Sequence, residues 1–292
     1  MMKILKVLGA LLLLFLFTTI GFGLYLYHSN PRIKAIVDND ESVLYYFPTK
    51  ELADLSDFDY QEVELIEEDS LSLYHYFFKQ KTDSLIGNIF FVHGAGGNAS
   101  RYASKIEPLL QAGFNVYISD WRGYGKSMGK PNYKNVLSDS QHAFEDFLLK
   151  TKADSVKTIM MGLSLGGQVA IKLALDNQER VDALVTDGSI PSAQQLAIDY
   201  APVDFLKKQA VAHPENFNQE YVAIRDIAKI QNLPKLIIHS KKDREVKAEH
   251  GKTLFANARA PKTFWETDTE HIQTLVALPE ETVNKIKALI AD

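Results

Sequence analysis

A serine flanked by glycines is the residue whose setting points most directly to chemistry. Gly162-Leu163-Ser164-Leu165-Gly166 fits the pattern G-x-S-x-G, and it lies between an apolar run and a stretch with helical spacing. Such a strand-to-helix turn strains the serine backbone, and flanking glycines avoid clashes there. The serine oxygen then stands at a helix N-terminus, which favours a developing anion. The pattern predicts a nucleophile at Ser164, with an incidental serine in a glycine-rich turn as the alternative.

A serine hydroxyl is a weak nucleophile and needs a neighbouring base. His271 is the predicted base among the eight histidines of the chain. It follows the last apolar run and precedes the final helical pattern, so we expect it on a loop at the carboxyl end of a sheet, where such sites collect. His239, by contrast, ends an apolar run, which is typical of a core residue.

The base in turn needs an orienting carboxylate. Asp243 is the predicted acid, because it follows the apolar run 236–239 after a short loop. Asp187, at the end of the preceding run, is the main rival. Weaker rivals are Glu245, Asp268 and Glu270. The order Ser, Asp, His along the chain matches the α/β-hydrolase order and differs from those of other serine hydrolases.

The anionic intermediate of acyl transfer needs preorganised N–H donors. One is the backbone N–H of Leu165, the residue after the nucleophile. The other is expected from the loop after the first parallel strand, which reads His93-Gly94-Ala95-Gly96-Gly97-Asn98. The backbone N–H of Ala95 is the predicted donor.

Two other motifs compete with this interpretation. Residues 94–99 fit G-x-G-x-x-A, and Asp120 lies near where a dinucleotide site places its ribose-binding acid. That interpretation leaves Ser164 and its partners unexplained, and a hairpin is predicted before the motif. Gly125-Lys126-Ser127 resembles the end of a P-loop, but position 120 would have to be glycine.

Composition narrows the possible classes of function. The formal charge is −5 over 292 residues, so no basic surface for nucleic acid is expected. There is no cysteine, which excludes disulfides, thiolate catalysis and cysteine-ligated metals. We predict no cofactor and no metal site, and the oligomeric state is left open.

Alternating apolar runs and helical patterns define the expected fold. Two runs at 61–67 and 71–78 suggest an antiparallel hairpin. Short apolar runs typical of buried strands then lie at 89–92, 114–119, 158–163, 183–186, 236–239 and 263–265. Because helical patterns fill the gaps, we predict an α/β fold. It would have a mostly parallel, twisted sheet of about eight strands with helices on both faces.

The domain is predicted to span 60–292, after a stalk at 31–59. Residues 188–234 form a long gap between strands, with helical patterns at 193–200, 203–211 and 221–230. A gap of this length in a compact domain is often a functional excursion, here a small cap. An ordinary helix with a decorated loop is the alternative.

The N-terminus, residues 1–30, is predicted to be a signal anchor. Residues 7–27 carry no charge and match the roughly 20 residues that cross a bilayer as a helix. A cleaved signal peptide is the alternative, and a secreted or periplasmic protein would result. Lys3, Lys6 and the α-amino group precede the span, whereas Arg32 and Lys34 follow it. The slight excess before the span predicts an extracytoplasmic domain.

Taken together, these segments resemble the α/β-hydrolase superfamily from about residue 60 to the end. Within it, the chain is similar to membrane-anchored serine aminopeptidase-like or α/β-hydrolase-domain proteins. The resemblance rests on the histidine-glycine loop, the serine elbow, the acid and histidine loops, and a D-x-R-G-x-G-x-S segment at 120–127. It implies an architectural role for 120–127 beside the active site. Relatives often carry glycine before the histidine, where this chain has Glu270.

The expected activity is acyl transfer by Ser164, His271 and Asp243. A carboxylic ester is the predicted substrate, and the membrane span suggests access to lipidic acyl groups. A thioester, an amide or a peptide bond remains open, because this fold hosts many chemistries. The alternative from another class is a non-catalytic, membrane-tethered binding protein on a hydrolase scaffold.

Overall fold

The computed structural model describes residues 2–38, 40–67, 70–201 and 203–291. The chain forms two compact units, Met1–Tyr46 and Phe47–Asp292. The side chains of Lys3 and Arg32, on which the predicted orientation partly rests, lie outside the described part of the chain.

The first unit is helical. It contains α1 (Met2–Ser29), α2 (Pro31–Asp38) and α3 (Glu41–Leu44). Ile4–Ser29 in α1 is predominantly apolar over 26 residues, and none of its side chains is buried. This length and composition suffice to cross a bilayer, so α1 is the candidate membrane span that the sequence predicts.

The second unit is built on strands, and four of the described strands are buried at every residue. In chain order they are β1 (Phe47–Pro48), β2 (Tyr60–Ile66), β3 (Ser72–Phe78), β4 (Gly87–Val92), β5 (Gly96–Gly97), β6 (Phe114–Ser119), β7 (Lys157–Leu163), β8 (Ala183–Asp187), β9 (Lys235–Ser240) and β10 (Lys262–Thr267). Eight of them form one sheet in the order β10-β9-β8-β7-β4-β6-β3-β2. Only β3 pairs antiparallel with its neighbours, β2 and β6, within this sheet as described.

The helices of this unit occupy both faces of the sheet. They are α4 (Ala103–Gln111), α5 (Tyr133–Thr151), α6 (Leu165–Asp176), α7 (Ala193–Tyr200), α8 (Asp204–Ala212), α9 (Ala223–Ile227), α10 (Ala248–Asn257), α11 (Thr274–Ala277) and α12 (Pro279–Ile290). Successive strand side chains point to opposite faces. In β4, the ring of Phe90 packs on Phe144 of α5, whereas Phe91 joins the core cluster with Ile106 of α4 and Ile286 of α12. The predicted α/β sheet of eight strands is therefore confirmed.

The segment that we expected to be a stalk, 31–59, divides between the two units. Its second half joins the second unit, because Phe47–Pro48 pairs in parallel with Gly96–Gly97. Leu55 is buried in the core cluster. The compact unit therefore begins at Phe47, before the predicted boundary at 60. Backbone pairing of so short a segment leaves no periodic pattern that the sequence would reveal.

The long excursion between β8 and β9 contains α7, α8 and α9. Many side chains of α8 are exposed, Phe205 among them, whereas Ala223 and Ile227 of α9 are fully buried. The α9 helix packs against α6. The described excursion thus combines a peripheral part around α7 and α8 with an ordinary body helix at its end.

Candidate active site

Ser164 lies in the turn between β7 and α6 and has a φ of 52°. This left-handed conformation is uncommon for a residue with a Cβ and indicates strain that the surroundings must hold. The N–H of Ser164 donates to the carbonyl of Asp187 at 2.9 Å, which ties the turn to the end of β8. Because α6 begins at Leu165, the serine stands at the N-terminus of a helix, as the sequence predicts.

The glycines of the elbow have no room for a side chain. A Cβ on Gly166 would lie 2.1 Å from the carbonyl oxygen of His93, and one on Gly162 would lie 2.5 Å from the Cβ of Ala170. Gly167 is equally constrained, since its Cβ would lie 1.7 Å from the Oγ of Ser189. Sequence reasoning missed Gly167, because the five-residue pattern ends one position earlier.

The imidazole of His271 bridges the serine and an aspartate. Its Nε2 lies 3.0 Å from the Oγ of Ser164, and its Nδ1 lies 2.6 Å from Oδ2 of Asp243. The loops after β9 and β10 supply the acid and the histidine. The structure therefore brings together the three side chains that the sequence singles out, in the arrangement that a nucleophile, a base and an orienting acid require.

Asp243 is held as a carboxylate. Its Oδ1 accepts hydrogen bonds from the backbone N–H groups of Glu245 and Val246, at 2.9 and 2.8 Å. Burial favours the neutral acid, but the hydrogen bonds from His271 and Val246 outweigh it, so the pKa of Asp243 lies below its ordinary value. An ionised Asp243 accepts a hydrogen bond from the Nδ1–H of His271, which leaves Nε2 as the acceptor for the serine hydroxyl.

Asp187, the main rival acid, lies close to the histidine without bonding to it. Its side chain is buried, and its Oδ1 has no hydrogen-bond partner in the described part of the chain. Burial raises the pKa of Asp187 to about 6, although Thr274, His271 and Lys105 act to lower it. Asp187 therefore interacts with His271 through charge alone, whereas the hydrogen bond from Nδ1 of His271 goes to Asp243.

The weaker candidates for the orienting acid have side chains that are exposed to solvent. Glu245 has an Oε2 atom 3.9 Å from Nε2 of His271, but 72% of its side chain is exposed. Asp268 pairs with Lys241 at 3.4 Å on the surface. Glu270, the residue before the histidine, is also exposed.

The loop expected to donate to the oxyanion is fixed by three contacts. His93 donates from Nδ1 to the carbonyl of Gly94 at 2.7 Å, and that carbonyl shares a peptide plane with the N–H of Ala95. The carbonyl of Ala95 accepts from the Tyr124 hydroxyl at 2.6 Å and from the N–H of Phe47 at 2.8 Å. The second predicted donor, Leu165, is the first residue of α6, where N–H groups lack intrahelical partners.

Sequence reasoning missed the part that His93 plays. The ring is fully buried, with Nε2 3.2 Å from Oδ1 of Asp120 and its centroid 4.4 Å from that of Trp121. Its position directly before the glycines was the available signal. The pairing with Asp120 depends on two strands that the sequence separates by more than twenty residues.

The segment 120–127 has the architectural role that the resemblance implies. Gly123 and Gly125 adopt positive φ angles of 85° and 49°. Arg122 forms an ion pair with the buried Asp139 of α5. Together with the hydrogen bond from the Tyr124 hydroxyl to the carbonyl of Ala95, these contacts pack a glycine-containing turn against the loop that carries the predicted oxyanion donor.

The dinucleotide interpretation finds no support in this geometry. Asp120 is fully buried, and its Oδ1 accepts from the N–H of Ala99 at 2.7 Å. The carboxylate is therefore engaged inside the protein rather than facing a ribose. Among the residues that the structure describes, no three His, Asp or Glu side chains form a group that could ligate a metal ion.

The chain is similar to several known proteins. Residues 83–215 match the family described as "Serine aminopeptidase, S33". The uncharacterized protein YfhR of Escherichia coli O157:H7 is 26% identical over 265 residues, covering 89% of this chain and 87% of the relative. Protein bem46 of Schizosaccharomyces pombe is 30% identical over 191 residues, covering 64% and 62%.

Solved structures have the same fold. The Pyrococcus furiosus esterase Pf2001 superimposes with a TM-score of 0.63 at 23% identity, over 84% of this chain and 96% of the esterase. An alpha-beta hydrolase from Vibrio vulnificus gives a TM-score of 0.63 at 23% identity, over 79% and 82%.

Proposed function

We propose that this chain, which belongs to the α/β-hydrolase superfamily, is a serine hydrolase that cleaves carboxylic esters through an acyl-enzyme on Ser164. One observation carries the proposal. The imidazole of His271 lies within hydrogen-bond distance of both the Ser164 hydroxyl and the Asp243 carboxylate. A serine at a strained elbow with a base and an oriented carboxylate is the arrangement that activates a hydroxyl for attack on a carbonyl.

The proposed reaction has two halves. Ser164 Oγ attacks the ester carbonyl while Nε2 of His271 takes its proton, and the N–H groups of Leu165 and Ala95 stabilise the oxyanion. The proton then passes to the alkoxide as the C–O bond breaks, releasing an alcohol. Water, deprotonated by His271, hydrolyses the acyl-serine and returns the enzyme with a free carboxylic acid.

The choice of an ester has support from a neighbour that carries the name esterase. The matched family carries the name of an aminopeptidase, so an amide or peptide bond is the second candidate, and a thioester the third. The triad chemistry is common to all three, because each begins with attack on an acyl carbon. The apolar α1 helix favours lipidic acyl groups as substrates.

A fluorophosphonate probe and p-nitrophenyl esters test the reaction class with the full-length chain. We expect labelling and ester turnover in the wild type, and loss of both in Ser164→Ala. Ser138→Ala is the matched control, since Ser138 is exposed on α5. Neither labelling nor turnover by well-folded wild-type protein would contradict the proposal and favour a membrane-tethered binding protein.

A second assay separates the bonds. An acyl-chain series of nitrophenyl esters is compared with aminoacyl nitroanilides and acyl thioesters. Faster turnover of esters supports the proposal, and a preference for long chains assigns lipidic substrates. Turnover of aminoacyl nitroanilides with inert esters would replace the esterase by an aminopeptidase.

We also propose that α1 anchors the chain in a membrane, with the hydrolase domain on the extracytoplasmic side. The proposed anchor rests on the length and apolar composition of Ile4–Ser29, and the proposed orientation rests on the slight excess of positive charge before the span. Carbonate extraction and the intact mass of the membrane-bound protein test it. A shortened, soluble product would identify a cleaved signal instead, and protection of the domain from external protease in intact cells would reverse the orientation.

A further inference from the structure

The residue after the histidine has an unusual backbone. Ile272 has a φ of 50°, a left-handed conformation in which a β-branched side chain is a genuine outlier. Strain of this kind costs of order 1–3 kcal/mol and persists only where the surroundings enforce it. The side chain of Ile272 packs against the core cluster, with its Cγ2 atom close to Gly188. The turn that carries the histidine therefore needs an outside contact to hold it.

That contact comes from α4, far away in the sequence. The ammonium of Lys105 donates to the carbonyl of Ile272 at 2.8 Å and to Oε1 of Gln273 at 3.1 Å. Lys105 is half-buried, and burial lowers its pKa while the charge of Asp187 acts to raise it. Both acceptors are neutral, so the hydrogen bonds of the cation go to the strained turn rather than to a carboxylate.

We infer that Lys105 is a positioning residue for His271. Its ammonium holds the Ile272 carbonyl in the left-handed turn and thereby keeps the imidazole within reach of Ser164. Without this cation the turn relaxes toward ordinary backbone angles, and the imidazole moves away from the serine hydroxyl. The inference rests on the proposed function, since it takes His271 to be the catalytic base.

The test replaces Lys105 by methionine, which keeps the length of the side chain and removes the donor. In Lys105→Met we expect kcat to fall roughly 10- to 100-fold, because a displacement of about 1 Å has effects of this size. KM stays within about twofold. Rates are expressed per serine titrated with the fluorophosphonate, so that a smaller folded fraction does not count as lost activity. Lys105→Arg, which keeps a cationic donor, restores most of the rate.

Lys81→Met is the control, because Lys81 also contacts α4, through Glu107 at 2.8 Å, away from the histidine turn. We expect it to leave kcat unchanged. A kcat for Lys105→Met equal to that of Lys81→Met would overturn the inference. So would failure of Lys105→Arg to recover more activity than Lys105→Met.

A second readout does not depend on activity. Hydrogen exchange of the peptide spanning 269–276 is expected to accelerate in Lys105→Met and to stay unchanged in Lys81→Met. With glycine in place of Ile272, the turn loses its strain, so Lys105→Met should cost less in Ile272→Gly than in Ile272→Ala. Unchanged exchange would contradict the inference. An inert wild type would defeat only the proposed function, because the exchange data would still decide whether Lys105 holds the turn.

Discussion

The candidate active site contains two left-handed turns that are held by different means. At the elbow, Ser164 has a φ of 52°, and glycines that tolerate no Cβ let β7, α6 and the His93 loop close around it. At the histidine turn, Ile272 has a φ of 50° and is tied by the side chain of Lys105. The first turn is held by backbone packed closely against glycines, and the second is tied by one distant side chain. The elbow is therefore the fixed half of the site, and the histidine turn is the adjustable half.

The largest effect is expected at Asp243, the proposed orienting acid. Asp243→Asn keeps the shape of the side chain but removes its charge, so the imidazole loses the tautomer that accepts from Ser164. In a related triad such a change lowers kcat about 10⁴-fold, and we expect a loss of that order in ester turnover. Asp268→Asn, at an exposed ion pair with Lys241, should stay within about twofold. Equal losses in both variants would remove Asp243 from the triad.

The elbow should break when Gly166 is replaced. In Gly166→Ala the new Cβ would lie 2.1 Å from a backbone oxygen, which neither β4 nor α6 can vacate cheaply. We expect the free energy of unfolding to fall by about 3 kcal/mol or more. The rate of labelling by the fluorophosphonate should fall as well. Thermal unfolding and labelling rates measure the two effects. Wild-type stability in Gly166→Ala would contradict the fixed character of the elbow.

A glycine-to-alanine substitution beside His271 should disturb the histidine turn. Gly188 has a φ of 62°, and a Cβ there would lie 3.0 Å from Cε1 of His271. Gly188→Ala therefore shifts the imidazole by tenths of an ångström and leaves the rest of the site in place. We expect kcat to fall about 10-fold, with less loss of stability than in Gly166→Ala. A larger loss of stability than at Gly166 would invert the comparison between the two turns.

The smallest effect on activity is expected at Asp187, which lies between the two turns. Its native pKa is about 6, above the value of about 3.9 in an unfolded chain. The native state therefore binds the proton more tightly, and stability falls as pH rises from about 4 to 6. The total change is at most about 3 kcal/mol.

The measurement is the pH dependence of unfolding in the wild type and in Asp187→Asn. Asp187→Asn should lack this loss and be the more stable protein at pH 7, with kcat within a few-fold of the wild type. A loss of activity as large as that of Asp243→Asn would instead make Asp187 the orienting acid.

The difference between the turns also explains what the sequence could reveal. The strands, the helix after the elbow and Ser164 follow from apolar runs and from glycine spacing, which are local signals. Asp243 and His271 follow from their places after the last strands, since carboxyl ends of parallel strands meet at one edge.

The remaining features depend on tertiary contacts. Lys105 lies on an ordinary amphipathic helix, and its bond to Ile272 joins residues 167 positions apart. The partnership of His93 and Asp120 and the pairing of Phe47–Pro48 with Gly96–Gly97 likewise carry no periodic signal. A residue that acts through another is visible only once the chain has brought the two together.

The central claim is that Ser164 is the nucleophile, and locating the fluorophosphonate adduct tests it most directly. Trypsin releases the elbow as residues 158–172, and Ser164 is the sole serine in that peptide. We predict that mass spectrometry of the labelled full-length protein finds the phosphonyl group on Ser164. An adduct on another residue, with the 158–172 peptide unmodified, would contradict the account.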